Sequence, residues 1–250
     1  MCGTSGDAPL LPGERVDDLQ CGGYRLIQRP DAFRFGTDSV LLADFAAPKP
    51  RGRAVDLGTG TGAIATLMAA HRPDLLVDAV EIQPEIADML RRSVFMNGLG
   101  GRIRVFEMDL RAAPDALGYG AYELVVSNPP YGRSGGALES GLETQRIARH
   151  EGGLTPADVA LSAARLLRNG GRFAVIFPAP RALEMMGAME RSGIAPKRVR
   201  TVHGMPGRAP KFVLMDGVRG GGPGLHWLPP LVLRNPDGSF TDEWRRIYRA

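Results

Sequence analysis

The chain has 250 residues, 44% hydrophobic and 23% charged, enough to fill one sizeable α/β core. Two cysteines, Cys2 and Cys21, do not make a disulfide framework and fit a reducing compartment; residues 1–15 have no apolar stretch, so no leader peptide is expected, and no apolar run approaches the length of a membrane span. The expected address is therefore the cytoplasm. The net charge of +4 is mildly basic, but Arg and Lys outnumber Asp and Glu over residues 133–211, so an anionic partner suits that half.

Residues 1–14 contain Gly and Pro without periodicity and read as a tail. Residues 18–29 predict a short hairpin around Cys21-Gly22-Gly23. Thr37 or Asp38 is placed to cap a helix through Val40, Leu41, Leu42 and Phe45, which Pro48 and Pro50 end. From Arg53 strands and helices alternate. Strands are predicted over 54–57, 75–80, 102–106, 122–126 and 172–177, with a final pair over 195–202 and 212–215. Pro84 starts a helix that runs to Asn97-Gly98. Thr155 caps another, closed by Asn169-Gly170-Gly171, and a further helix spans 180–191. Residues 225–233 predict an edge strand limited by Pro229 and Pro230, and 241–248 a short terminal helix. This order implies a mostly parallel sheet with helices on both faces. The expected division is a tail over 1–14, a hairpin and helix over 15–50, a core over 51–218, and an extension of the same domain over 219–250.

Two stretches carry chemistry. The first strand enters Gly58-Thr59-Gly60-Thr61-Gly62, and glycines at a strand end let a ligand approach the backbone closely. Gly58, Gly60 and Ala63 also satisfy a dinucleotide pattern, with Glu81 at the distance of a ribose-binding carboxylate, so a nicotinamide-dependent oxidoreductase stays open on the loop alone. Asp56 favours another ligand: a carboxylate there repels a pyrophosphate and suits an ammonium group. Asp109 follows the third strand, placed to meet an adenine amine. The second stretch is Asn128-Pro129-Pro130-Tyr131, after the fourth strand. The prolines stop the ladder, Asn128 brings an amide, and Tyr131 a ring for stacking. That combination suits a planar group with an exocyclic NH2.

Asp-Leu-Gly-Thr-Gly-Thr-Gly at 56–62 resembles the S-adenosylmethionine loop of class I methyltransferases, and Ser-Asn-Pro-Pro-Tyr at 127–131 resembles the catalytic motif of the amino-methyltransferases. The 33–45 segment is similar to the bacterial adenine-N6 methyltransferases that act on valine tRNA next to the anticodon. The resemblance covers about residues 19–217, with a weaker echo near Trp244 and Tyr248. It implies a Rossmann-like class I methyltransferase fold with a mostly parallel seven-stranded sheet, preceded by a short hairpin and helix. It implies S-adenosylmethionine held by Thr37, Asp38, Asp56, Gly58, Gly60, Gly62, Glu81, Asp109 and Asn128. It implies an adenine held by Asn128, Pro129, Pro130 and Tyr131. Guanine-N2 and protein-glutamine methylation are the alternatives with the same motif. Arg133, Arg149, Arg198, Arg200, Arg208 and Lys211 are the candidate tRNA contacts, no metal site is expected, and a monomer or homodimer is anticipated.

Overall fold

The protein is described from a computed structural model that covers residues 6, 8–30, 35–46, 51–130 and 153–249. The antiparallel hairpin β1 (Arg15–Asp18) and β2 (Arg25–Gln28) opens the chain, a few residues outside the expected bounds. Helix α1 (Thr37–Ala46) follows, buried along most of its length through Val40, Leu41, Leu42, Phe45 and Ala46. Then come β3 (Arg51–Leu57), α2 (Ala63–His71), β4 (Asp74–Glu81), α3 (Pro84–Met96), β5 (Ile103–Glu107), the short α4 (Ala113–Leu117) and β6 (Tyr122–Ser127). The chain closes with α5 (Pro156–Leu166), β7 (Leu167–Pro178), α6 (Ala182–Arg191), β8 (Ile194–His203), β9 (Phe212–Arg219), β10 (His226–Trp227), β11 (Leu231–Val232) and α7 (Asp242–Arg249).

The main sheet has the order β10-β8-β9-β7-β6-β3-β4-β5, with β11 also on β8. The expected seven strands are its body, and among the described residues it has nine. The single predicted strand over 225–233 is two two-residue strands on either side of Pro229-Pro230, both parallel to β8. Proline lacks the N–H a ladder needs, so the edge is interrupted there. Strand β9 runs antiparallel to both its neighbours, and every other pair in the sheet is parallel. Connections leave β3 toward β4 on one side and reach β6 on the other. The switch point therefore falls between β3 and β6, where open parallel sheets leave a crevice beyond the strand ends.

Side-chain alternation splits the core in two. Ala54, Leu124, Val126, Ala174 and Ile176 face α1 and α2, together with Trp244 and Ile247 of α7. Val55, Leu57, Val125, Phe173, Val175 and Phe177 face the other way, with Val159 of α5 and Met185 and Met189 of α6. Buried on both faces, these strands read in sequence as near-continuous apolar runs. Thr155 caps α5 as expected. Its hydroxyl accepts the Asp158 N–H while Asp158 takes the Thr155 N–H, a reciprocal box worth about 1 kcal/mol. Asn169-Gly170-Gly171 does not close that helix. It belongs to β7, where the pairing jumps from Tyr122↔Leu167 to Leu124↔Arg172. The extra residues are taken up as a bulge.

Candidate active site

The loop after β3 is built by hydrogen bonds to β4 and its end. Gly58 and Thr59 donate their N–H groups to the Val80 carbonyl at 3.0 and 2.9 Å. The Gly60 N–H reaches Glu81 Oε2 at 2.9 Å, and the Gln83 N–H reaches Glu81 Oε1 at 2.9 Å. Glu81 thus braces the loop through both carboxylate oxygens. Burial raises its carboxyl above the usual range, while the Gln83 and Gly60 amides pull the other way.

Asp56 lies beneath this loop with no exposed surface. Its Oδ2 accepts the Thr59 hydroxyl at 2.7 Å, and its Oδ1 has no hydrogen-bond partner. Burial pushes its pKa up to about 7 against the pull of the Thr59 hydroxyl, and Glu81 adds to the rise. A buried oxygen without a donor is costly, and a cationic donor relieves it. Gly62 turns the chain into α2 at φ 85°, and a Cβ there would stand 2.2 Å from Leu90 Cδ1. Gly58 has φ +71° and opens on free space, with nothing within 4 Å of a built Cβ. The loop is therefore packed behind and open in front.

Asn128 ends the neighbouring strand. The register Asp56↔Val126 puts Gly58 and Asn128 each two residues past a paired position, at the same rim. Adjacent strands lie about 4.8 Å apart, so the two stretches border one crevice. Ser127 ties the strands together there by donating its hydroxyl to the Leu57 carbonyl at 2.8 Å. Asn128 is half-buried and Pro129 buried. Asn128 Nδ2 donates to Asp38 Oδ2 at 2.9 Å, which brings the start of α1 to the same place.

Asp109 stands after β5, where the Met108 N–H holds the chain to the Glu81 carbonyl at 2.9 Å. Its carboxylate receives the Arg111 guanidinium, with Nη2 at 2.5 Å, and that hydrogen bond holds its pKa below the usual range. Thr37 is exposed at the first position of α1. Tyr131, Arg133 and Arg149 lie outside the described residues.

Two of the expected phosphate contacts are held in ion pairs within the fold. Arg198 donates to the buried Asp216, with Nη2 at 2.5 Å and Nε at 2.8 Å, and stacks on Phe45. Arg200 bonds Glu243 of α7 at 2.7 Å and the Pro229 carbonyl at 2.8 Å. Both guanidiniums are committed to joining β8 to β9, α1 and the C-terminal segment. Arg208 and Lys211 remain exposed in the β8–β9 loop. Because β8 runs parallel to β7, that loop reaches the same rim as Asn128. Sequence reasoning placed Asp38 beside the cofactor and missed its bond to Asn128. The two positions are 90 residues apart, and no local pattern joins them.

A glycine loop braced by a strand-end carboxylate, beside an Asn-Pro-Pro turn on the next strand, defines a methyltransferase. The chain matches the methyltransferase small domain family over residues 31–192 and belongs to it. It is 30% identical over 88% of its length to a protein of Tolumonas auensis named tRNA1(Val) (adenine(37)-N6)-methyltransferase, covering 90% of that protein. Its fold is shared with a predicted O-methyltransferase of Agrobacterium tumefaciens, at a TM-score of 0.70 and 24% identity, over 85% of this chain and 97% of that one. It is shared as well with a geranyl diphosphate C-methyltransferase of Streptomyces coelicolor A3(2), at a TM-score of 0.53 and 15% identity, over 72% of this chain and 78% of that one.

Proposed function

We propose that this chain transfers a methyl group from S-adenosylmethionine to the N6 amine of an adenine in tRNA, next to the anticodon of valine tRNA. The observation that carries this reading is the Asp56↔Val126 register, which sets the glycine loop and the Asn128 turn side by side at one rim. The name of the Tolumonas auensis relative suggests the substrate. The site fits the cofactor on its own chemistry. The unpartnered Asp56 Oδ1 suits an ammonium group, a carboxylate at the strand end such as Glu81 suits ribose hydroxyls, and the front of Gly58 is open. Asp109 would take the adenine amine in exchange for part of its bond to Arg111. When bound, the cofactor supplies an electrophilic methyl group.

The chain's own residues do the rest. Asn128 Oδ1 and the Pro129 carbonyl accept the two hydrogens of the substrate amine. That turns the nitrogen lone pair out of conjugation with the ring and toward the methyl donor. Positioning of this kind accounts for most of the rate, because no bond to the protein forms. No base is needed before transfer, since the methylated amine is acidic and releases its proton afterwards. Tyr131 provides the stacking face for a base drawn out of its stack in the loop, worth about 1–3 kcal/mol. Arg208 and Lys211 meet the phosphates. A tRNA substrate makes the cytoplasm the expected compartment.

The test is incubation with bulk tRNA and labelled S-adenosylmethionine, followed by mass spectrometry of the nucleosides. N6-methyladenosine in valine tRNA is expected. N2-methylguanosine, or no labelled nucleoside at all, would overturn the adenine reading.

A further inference from the structure

Asp38 lies in the first turn of α1, and both of its carboxylate oxygens are engaged. Oδ1 accepts the Ser39 N–H at 2.9 Å, and Oδ2 accepts the Asn128 side-chain N–H at 2.9 Å. Gly36 leaves room for this: a Cβ on it would stand 2.8 Å from Asp38 Oδ1. The carboxylate thus fills the space that a side chain at position 36 would take.

A side-chain amide has a donor end and an acceptor end of nearly the same shape. A carboxylate accepts and does not donate, so it bonds only the NH2 end. With Nδ2 turned to Asp38, the carbonyl end of Asn128 faces away from it. In the opposite orientation the amide would point N–H groups at the N–H groups of an incoming amine. We propose that Asp38 is a positioning residue for methyl transfer, fixing the Asn128 amide so that Oδ1 is the atom that meets the exocyclic amine. This rests on the reading of Asn128 as the acceptor for that amine. It moves Asp38 from the cofactor to the substrate side of the crevice. It also gives the Gly36-Thr37-Asp38 segment a function at the reacting end of the site.

The test uses the full chain, kcat and KM with tRNA, and calorimetric binding of S-adenosylhomocysteine. Asp38→Ala is expected to lower kcat about 10- to 100-fold, the loss that follows from an unfixed catalytic dipole. Affinity for S-adenosylhomocysteine and KM for tRNA should stay within about threefold, less than 1 kcal/mol. Gly36→Ala should lower kcat in the same way, by displacing the carboxylate. Asn128→Asp alone sets two carboxylates against each other. In the double variant Asp38→Asn with Asn128→Asp, the donor and acceptor are exchanged, and kcat should recover at least about tenfold over Asn128→Asp. A purely structural role for Asp38 would give no such recovery. If the exchange restores nothing, the positioning role is overturned. It is overturned equally if Asp38→Ala weakens S-adenosylhomocysteine binding about tenfold at unchanged kcat. Either result in an active wild-type background leaves the methyltransferase reading intact. A wild-type chain that methylates no amine would remove both.

Discussion

Replacing either of two glycines in one loop should damage the protein in opposite ways. At Gly62 a methyl group would stand 2.2 Å from Leu90 Cδ1 and 3.2 Å from its Cγ, on a backbone at φ +85°. The left-handed backbone costs alanine about 1–2 kcal/mol. Pushing Leu90, which has no exposed surface, costs about 1–3 kcal/mol more. Gly62→Ala should therefore lose about 2–5 kcal/mol, a large part of the 5–15 kcal/mol typical of a folded domain. At Gly58 the backbone term applies at φ +71°, but no atom lies within 4 Å of the new methyl. Gly58→Ala should lose only about 1–2 kcal/mol of stability. Its methyl instead occupies the open front of the loop, so affinity for S-adenosylhomocysteine should fall at least about tenfold, or 1.4 kcal/mol. Urea denaturation measures the first effect and calorimetry the second. Equal destabilisation by the two variants would refute the packing argument. Wild-type affinity in Gly58→Ala would show that the ligand does not approach from that side.

Asn128→Ala should abolish turnover while leaving S-adenosylhomocysteine binding nearly intact; turnover above about a tenth of wild type would remove Asn128 from the reaction. Asp56 titrates at about 7 in the folded chain against an ordinary value of 3.8, so the folded state holds its proton more tightly than the unfolded state. Its contribution to stability is then full below about pH 4 and is lost as pH climbs toward 7. Urea midpoints of the ligand-free chain should show that decline, and Asp56→Asn should flatten it; a wild-type midpoint that rises over this range relative to Asp56→Asn would contradict the burial argument. Arg198→Ala should lower the urea midpoint, because it leaves the 1% exposed Asp216 with one guanidinium fewer. Arg208→Ala with Lys211→Ala should instead leave the midpoint unchanged and reduce the salt dependence of tRNA binding. The reverse pattern would place Arg198 on the RNA surface.

Sequence alone determined most of what chemistry places locally. The glycine loop, Glu81 at the end of β4 and the Asn128-Pro129-Pro130 turn are each written within a few residues. Strand ends, sharp turns and capping boxes impose their own residue types at fixed spacing, and the alternation of apolar runs fixed the parallel sheet. Element bounds were less legible at Asn169-Gly170-Gly171, because a helix stop and a strand bulge use the same residues. The division of arginines was not legible at all. Arg198 and Arg208 look alike in a basic stretch, and what separates them is Asp216 and Phe45 across the fold. The partnership of Asp38 with Asn128 likewise exists only when α1 packs against the sheet and brings its first turn to the end of β6. Local backbone preference acts over a few residues and leaves a mark in the sequence. A hydrogen bond between distant side chains is set by packing, and no short stretch of sequence records it.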